Sequence, residues 1–517
     1  MREIDLRDAL MPGKTSNVMW SRLFELRDGS NLTIQGQIRQ LMISAISDEH
    51  ITIDTPVPSS RELAEQLGIA RNTVVLAYQQ LVDDGYLVAR KRSGYFVNPD
   101  VVQKRPSASP SPSATKTSES PPAPDWETRF RIKPSRQRNI SKPADWQSYE
   151  FPFIYGQFDP SLFPTNDWRE CCQQALSVME IRDWAPDLFT RDDAHLIEQI
   201  RTKVLPLRGV WAQPDEIIVT IGAQQALYLL ADLLIDPQTQ VGIENPGYPD
   251  ARNILSIRTP KIRGLPIDDH GLLIGPELKG CSYIYATPSH QSPTTATMPM
   301  DRRVEFLKRA EADDFIIIED DYESETSFSG PPNPALKSFD RGDRVIYVGS
   351  LSKTLAPGLR LGYIVAPRGL ADELRSLRRL MIRHPTAFIQ RSFALFLSMG
   401  HYGTLNRRLM TTHRDRAAAL STALKQHMPN VTHKAINGGS SFWITGPEWL
   451  DCRQLAVTAE ASSILIEPGD VYFMQEKQPV NFFRLGFSSI QADRISEGIK
   501  RLATLAQQQN PSRHRSG

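Results

Sequence analysis

The sequence predicts a two-part fold, a small winged helix-turn-helix followed across a flexible connection by a large α/β domain. Three observations predict it. Between residues 60 and 83 two helical patterns meet at a glycine turn, and a short hairpin pattern follows. Residues 106–115 read Pro-Ser-Ala-Ser-Pro-Ser-Pro-Ser-Ala-Thr, a composition that cannot bury enough apolar surface to order itself. From about residue 151, short apolar runs alternate with helical stretches, the pattern of a mostly parallel sheet with helices on its faces.

Taking the elements in order, Ile34, Ile38, Leu41, Met42, Ala45 and Ile46 recur on one helical face. Ser59 and Glu62 have capping-box spacing, Leu63, Ala64 and Leu67 form a buried stripe, and Gly68 suits a left-handed helix end. A second helix runs from Arg71 to about Asp83 with Val74, Ala77, Tyr78 and Leu81 inward. Residues 86–97 then read as a hairpin whose tip, Arg90-Lys-Arg-Ser-Gly94, is basic. Arg71, Asn72 and Thr73 open the second helix, where side chains and amides reach bases and phosphates in a major groove. Arg61 is placed for a phosphate, and Arg90, Lys91 and Arg92 can follow the duplex backbone. The blander alternative is a small helical domain with a solvated basic hairpin.

The domain boundaries are set at 20–98 for the winged helix, 99–149 for the Pro/Ser-rich linker and 150–507 for the large domain. Trp126, Phe130 and Trp146 are expected to dock the end of the linker onto the large domain. The formal net charge is +1, so a nucleic-acid-binding face has to be local. Cys171, Cys172, Cys281 and Cys452 lack metal-ligand spacing and fit a reducing compartment. The charged N-terminus is unlike a signal peptide, and no run of about 18 apolar residues occurs. A cytoplasmic location without membrane spans is expected, and no metal site.

In the large domain the chemistry concentrates at strand ends. Arg344-Val-Ile-Tyr-Val-Gly349 reads as a buried strand that breaks into a turn carrying Ser350, Ser352 and Lys353, and Arg360 follows. A lysine there can form an imine with an aldehyde, while the hydroxyls and the guanidinium hold a phosphate; pyridoxal phosphate (PLP) needs both. A surface Lys and Arg beside a Gly/Pro loop is the plain alternative. Phe315-Ile-Ile-Ile-Glu-Asp-Asp-Tyr322 buries carboxylates at a strand end, which demands a compensating partner such as a protonated pyridine. Alternation puts Asp320 and Tyr322 on one side, with Asp321 as the alternative carboxylate. Glu216-Ile-Ile-Val-Thr220 leads through a turn at Gly222, Ala223 and Gln224 into a helix whose free amides attract an anion. Tyr248, in Asn245-Pro-Gly-Tyr-Pro249, can stack on a pyridine ring or simply close a turn. Arg484, alone in an aromatic strand, either captures a ligand carboxylate or forms a structural ion pair.

The pattern P-S-S-R-E-L-A-x-x-L-G, then R-N-T-V-x-x-A-Y, resembles the GntR-type winged helix; it departs before Pro56, where residues 47–54 lack that family's usual glycines. The stretch Tyr347–Tyr363 resembles the Schiff-base lysine segment of fold-type I aminotransferases, as found in MocR-type regulators. The two together, over residues 20–98 and 150–507, resemble the MocR family. That resemblance implies a homodimeric transcription regulator binding an operator in double-stranded DNA. It implies a PLP-dependent aminotransferase-like domain that senses a small amino compound by forming an external aldimine. In this family Lys353, Asp320, Tyr322, Tyr248, Ser350, Ser352 and Arg360 correspond to cofactor-binding positions. The turn Gly222-Ala223-Gln224 corresponds to the phosphate turn and Arg484 to the effector arginine. His290 and Gln291 resemble the P-S-H-Q-x-P-T-G element, in which Thr295 stands for the usual glycine. Residues 149–157 and Arg383-His-Pro resemble the branch governing compatible solutes such as ectoine, or taurine. A working aminotransferase carrying a DNA-binding domain is the alternative.

Overall fold

The computed structural model describes residues 24, 26, 32–48, 50–51, 53, 56–90, 94–100, 124–187, 191–323, 325, 327–328, 330 and 333–510. The chain divides into two compact units, Met1–Asp125 and Trp126–Gly517.

In the first unit α1 spans Ile34–Ser47, followed by β1 (Pro56–Val57), α2 (Ser60–Leu67), α3 (Arg71–Asp83), β2 (Leu87–Arg90) and β3 (Gly94–Val97). Ser59 caps α2 by accepting the Glu62 amide at 3.2 Å, and Gly68 ends it in the left-handed region at φ 63°. Val74, Ala77, Tyr78 and Leu81 of α3 are fully buried against α1 and α2. Losing one such leucine side chain costs about 2–5 kcal/mol. Tyr78 donates its hydroxyl hydrogen to the Pro58 carbonyl at 3.0 Å, so its polar end is satisfied inside that core. The antiparallel sheet β1-β3-β2 is the wing, with Arg90 opposite Gly94.

The second unit holds an eight-stranded sheet: β4 (Ile217–Thr220), β5 (Val241–Asn245), β6 (Ile262–Asp268), β7 (Gly271–Leu272), β8 (Tyr283–Ala286), β9 (Ile316–Asp321), β10 (Val345–Ser350) and β11 (Gly362–Val365). Their order is β4-β11-β10-β9-β8-β5-β6-β7. Strands β6, β5, β8, β9 and β10 pair in parallel, whereas β11 runs antiparallel to both its neighbours. Both faces are covered, so these strands are apolar runs rather than alternating ones. A separate four-stranded sheet near the C-terminus, holding β12 (Thr432–His433), β13 (Ser441–Thr445), β14 (Glu467–Pro468) and β15 (Phe482–Gly486), is antiparallel throughout. No helix among the described residues is long and apolar enough to cross a membrane.

One boundary needs correcting. Residues 126–149, assigned above to the linker, belong to the large unit. Trp126 and Phe130 are 62% and 50% exposed, so they are not the anchors, whereas Trp146 is half-buried. Polar contacts are: Gln137 donates to the Asn253 carbonyl at 3.0 Å, Arg138 to the Asp470 carbonyl at 2.7 Å, and Tyr149 to Glu460 at 3.2 Å. Hydrophobicity alone pointed to the aromatics, but a segment crossing a finished surface is held by hydrogen bonds to backbone groups left over there.

Candidate functional site

In the first unit, Arg61, Arg71 and Asn72 are exposed and Thr73 is half-buried at the start of α3. Ala70 gives α3 no side-chain cap and the Thr73 amide turns back to the Ala70 carbonyl at 3.0 Å, so among the described residues the Arg71 and Asn72 amides keep their donors for an anion. Arg90 is exposed on the wing, its guanidinium 4.4 Å from the centre of the Phe96 ring. Lys91 and Arg92 lie outside the described residues.

In the second unit a cavity of about 390 Å³ opens at one edge of the large sheet. Topology builds it. The C-terminal ends of β4, β5, β9 and β10 reach this edge, and β11, being reversed, starts there. All the cofactor and effector positions expected from the sequence line the cavity: Gly222, Ala223, Gln224, Tyr248, Asp320, Tyr322, Ser350, Ser352, Lys353, Arg360 and Arg484.

Lys353 sits in the single helical turn Ser352–Leu355 after β10. Its amine donates to the Tyr155 hydroxyl at 2.7 Å and lies 4.2 Å from the centre of the Tyr322 ring. Burial pushes its pKa down to about 8, against the opposing pull of Glu323 and Asp320. A lysine so tuned presents far more free amine near neutrality than an ordinary lysine does.

The end of β9 resolves the two carboxylates. Asp320 faces the cavity, its Oδ2 accepting from the Tyr285 hydroxyl at 2.8 Å. Among the described residues its Oδ1 is buried without a hydrogen-bond partner. Burial raises its pKa to about 6. Asp321 points the other way into an ion pair with Arg208 at 2.8 Å and accepts from the Tyr347 hydroxyl at 2.7 Å. Asp321 is therefore neutralised by the fold, while Asp320 keeps an oxygen for a cationic donor.

Gly222 heads the 13-residue helix α4 (Gly222–Leu234) at φ 70°, and a Cβ there would lie 3.1 Å from the Arg360 guanidinium. Arg360 thus covers the same turn whose amides face the cavity. Ser350 is buried beside it. Ser352 donates its hydroxyl hydrogen to the Leu361 carbonyl at 2.9 Å and accepts from the Leu361 amide, so this hydroxyl closes the turn on itself. Tyr248, at the start of α5 (Pro249–Ser256), donates to Asp250 at 3.0 Å, leaving its ring against the cavity. His290 and Gln291 do not line the cavity; Gln291 donates to the Pro246 carbonyl at 2.9 Å and so secures the turn that carries Tyr248. Thr295 adopts φ 61°, a left-handed conformation that explains why glycine is usual there.

Arg484, on β15, is buried, and its Nε donates to Glu467 Oε2 at 2.8 Å. The guanidinium also stacks 3.8 Å from the centre of the Tyr155 ring. Arg383 and His384 lie elsewhere, paired with Asp187. Sequence reasoning missed Tyr155, Tyr285, Lys142 and Glu467. Tyr155 fell inside a quoted motif, yet nothing along the chain announces that it meets a lysine almost two hundred residues away.

Comparison with known proteins agrees with this arrangement. Residues 34–97 match the model for bacterial regulatory proteins of the gntR family, and residues 185–502 match that for aminotransferase class I and II. The HTH-type transcriptional regulator TauR of Rhodobacter capsulatus is 41% identical over 93% of this chain and 98% of its own. The probable rhizopine catabolism regulatory protein MocR of Rhizobium meliloti is 29% identical over 92% of this chain and 94% of its own. Among solved structures, kynurenine aminotransferase of Pyrococcus horikoshii, in complex with PMP, covers 74% of this chain and 98% of its own with a TM-score of 0.67 and 26% identity. A gntR-type winged helix, an aminotransferase-like body and relatives that match along nearly the whole chain leave one conclusion: the chain belongs to the MocR-type transcriptional regulators.

Proposed function

We propose that this regulator binds an operator in double-stranded DNA and holds PLP on Lys353, through which it senses a small amino compound with an anionic group. It works in the cytoplasm as a homodimer. The observation that carries the reading is a lysine amine and a buried carboxylate, whose Oδ1 has no partner among the described residues, on one cavity. That orphan oxygen fits the N–H of a protonated pyridine. When bound, PLP supplies an aldehyde that condenses with primary amines and a cationic ring that withdraws electrons.

The chain's own residues do the rest. Tyr155 holds the Lys353 amine by accepting its hydrogen. Asp320 would keep the ring nitrogen protonated, Tyr322 would offer its phenol to the ring hydroxyl and Tyr248 its ring to the pyridine. The amides of Gly222, Ala223 and Gln224, with Ser350 and Arg360, hold the phosphate. Arg484 orients an incoming amine by its acidic group. Ser352 contributes through the turn it closes. In the winged helix, Arg71, Asn72 and Thr73 read the groove while Arg61 and the wing cations Arg90, Lys91 and Arg92 contact phosphates. The effector is a compatible-solute catabolite such as an ectoine derivative, or taurine; similarity to TauR supports the latter. The test is direct. Borohydride reduction of the PLP-loaded protein followed by peptide mapping should place the pyridoxyl group on Lys353, and Lys353→Ala should lose the visible absorption band. A label on another lysine refutes the assignment.

A further inference from the structure

Three cations converge on one aromatic ring. The Lys353 amine lies 4.8 Å from the centre of the Tyr155 ring, the Arg484 guanidinium 3.8 Å and the Lys142 amine 5.8 Å. Lys142 comes from the segment ahead of the aminotransferase-like fold, yet it lines the same cavity. It is held there by Glu467, whose Oε1 lies 3.0 Å from it, and by the Tyr155 carbonyl, to which it donates. Glu467 faces three donors in all. Its Oε1 also accepts the Tyr155 amide at 3.0 Å, and its Oε2 takes the Arg484 Nε at 2.8 Å. One buried carboxylate therefore positions two cations, which together carry one positive charge more than Glu467 offsets, and Asp250 on the same cavity also attracts Lys142.

That surplus faces the cavity, where an isolated buried charge is costly. A ligand anion removes the cost. The donors left over define which anion. Nε of Arg484 is spent, so among the described residues the guanidinium keeps only its two terminal nitrogens for a ligand, and Lys142 keeps one of its three ammonium hydrogens. A planar carboxylate paired with both terminal nitrogens keeps only in-plane lone pairs for a further donor. A three-oxygen anion can take both Arg484 nitrogens and the Lys142 hydrogen together. The ammonium acts as a point charge that needs no planar match. Because Lys353 and Arg484 lie over the same ring, the ligand that joins them is short.

We infer that Lys142 and Arg484, held by Glu467, form a two-cation seat for the anionic end of a short amino compound, and that Lys142 makes this seat favour a sulfonate over a carboxylate. The inference rests on the effector reading of the cavity given above, and goes beyond it by assigning a specificity residue and the anion class.

The experiment is titration calorimetry of the full-length, PLP-loaded protein with taurine, with β-alanine as the carboxylate of matching length and with propylamine as an amine lacking an anion. Wild type should bind taurine more tightly than β-alanine. Lys142→Gln should weaken taurine about tenfold or more, β-alanine by much less, and propylamine hardly at all. Lys142→Arg, which restores a cation, should recover most of the taurine affinity and show that the loss is not a folding defect. Equal losses for taurine and β-alanine, no loss for either, or no heat from taurine in the wild type would overturn the inference. The visible band and its borohydride sensitivity, read on the same samples, report separately on the Lys353 assignment. A chain that lacks the band yet shows the Lys142-dependent sulfonate preference would sink the cofactor reading while leaving the anion seat standing.

Discussion

Thr295 shows how a departure at one residue becomes a measurable property. Its φ of 61° places a β-branched side chain where L-residues are disfavoured by about 1–2 kcal/mol. The conformation is enforced by the turn, since the Thr295 amide donates to the Gln291 carbonyl at 2.6 Å. Thr295→Gly is therefore expected to stabilise the protein by about 1 kcal/mol, a rise in Tm of about 1–2 °C for a body of this size, offset in part by glycine's greater freedom when unfolded. An unchanged or lowered Tm by calorimetry would show that the strain is absorbed elsewhere. Lys353 gives a second residue-scale expectation. Its pKa is depressed to about 8, so the ammonium dominates below that value and the free amine above it. Asp320, raised to about 6, is ionised over the same range and does not reverse the trend. Capture of PLP by the cofactor-free protein should therefore quicken between about pH 7 and 9 and then level off, as read by stopped-flow absorbance. A rate independent of pH over that window would argue that another group supplies the amine.

At the scale of elements, what could be read from the sequence was chemistry that sits at the end of a patterned segment. Helix α3 announced itself by Val74, Ala77, Tyr78 and Leu81, and β9 by an apolar run that ends in carboxylates. Each residue that such a pattern delivers to a turn could be placed: Lys353 after β10, Asp320 at the end of β9, Gly222 before α4. Alternation even separated Asp320 from Asp321, because the two sides of a strand are strictly out of phase. Residues supplied by irregular chain were not legible. Lys142 and Tyr155 lie in segments without period, and Glu467 belongs to a two-residue strand whose partner Arg484 is found only through pairing of β14 with β15. Helix α3 also carries a test. Arg71→Ala should cost about 1–3 kcal/mol of specific operator affinity and relax discrimination at the base it contacts, while absorbance from bound PLP is unchanged. Gel-shift titration that shows wild-type affinity would remove Arg71 from the interface.

For the molecule as a whole, the placement of residues 126–149 decides where the chain can be cut. A chain that starts at Trp126 contains the whole cavity and the contacts of Gln137, Arg138, Lys142 and Tyr149, and should capture PLP without the winged helix. One that starts at residue 150 loses Lys142 and leaves the Glu467 carboxylate with one cation fewer. It should melt several degrees lower, because the hydrogen bonds of Gln137, Arg138 and Tyr149 to the body are lost at about 1 kcal/mol each, and bind anionic amines more weakly. Identical melting of the two fragments would show that the segment only lies on the surface. Sedimentation of the full chain with PLP should give a homodimer, and a stable monomer at micromolar concentration would count against the assembly proposed above. Organisation at this scale was legible only in part. Composition marked the Pro/Ser-rich stretch, whereas the polar docking that follows it depends on backbone groups of the large unit that no local pattern exposes.

The reversal of β11 has a consequence for hydrogen exchange. Since β11 returns alongside β10, the connection between them begins and ends on neighbouring interior strands of the sheet. Its amides are tied accordingly, with those of Leu351 and Ser352 both donating to the Leu361 carbonyl at 3.0 Å, and that of Leu359 to Ala356 at 3.1 Å. Deuterium should enter the amides of Leu351, Ser352 and Leu361 as slowly as it enters the flanking strands. The segment that carries Lys353 and Arg360 would then open only when the sheet itself opens, so cofactor exchange is set by the geometry of the closed state and not by breathing of a loop.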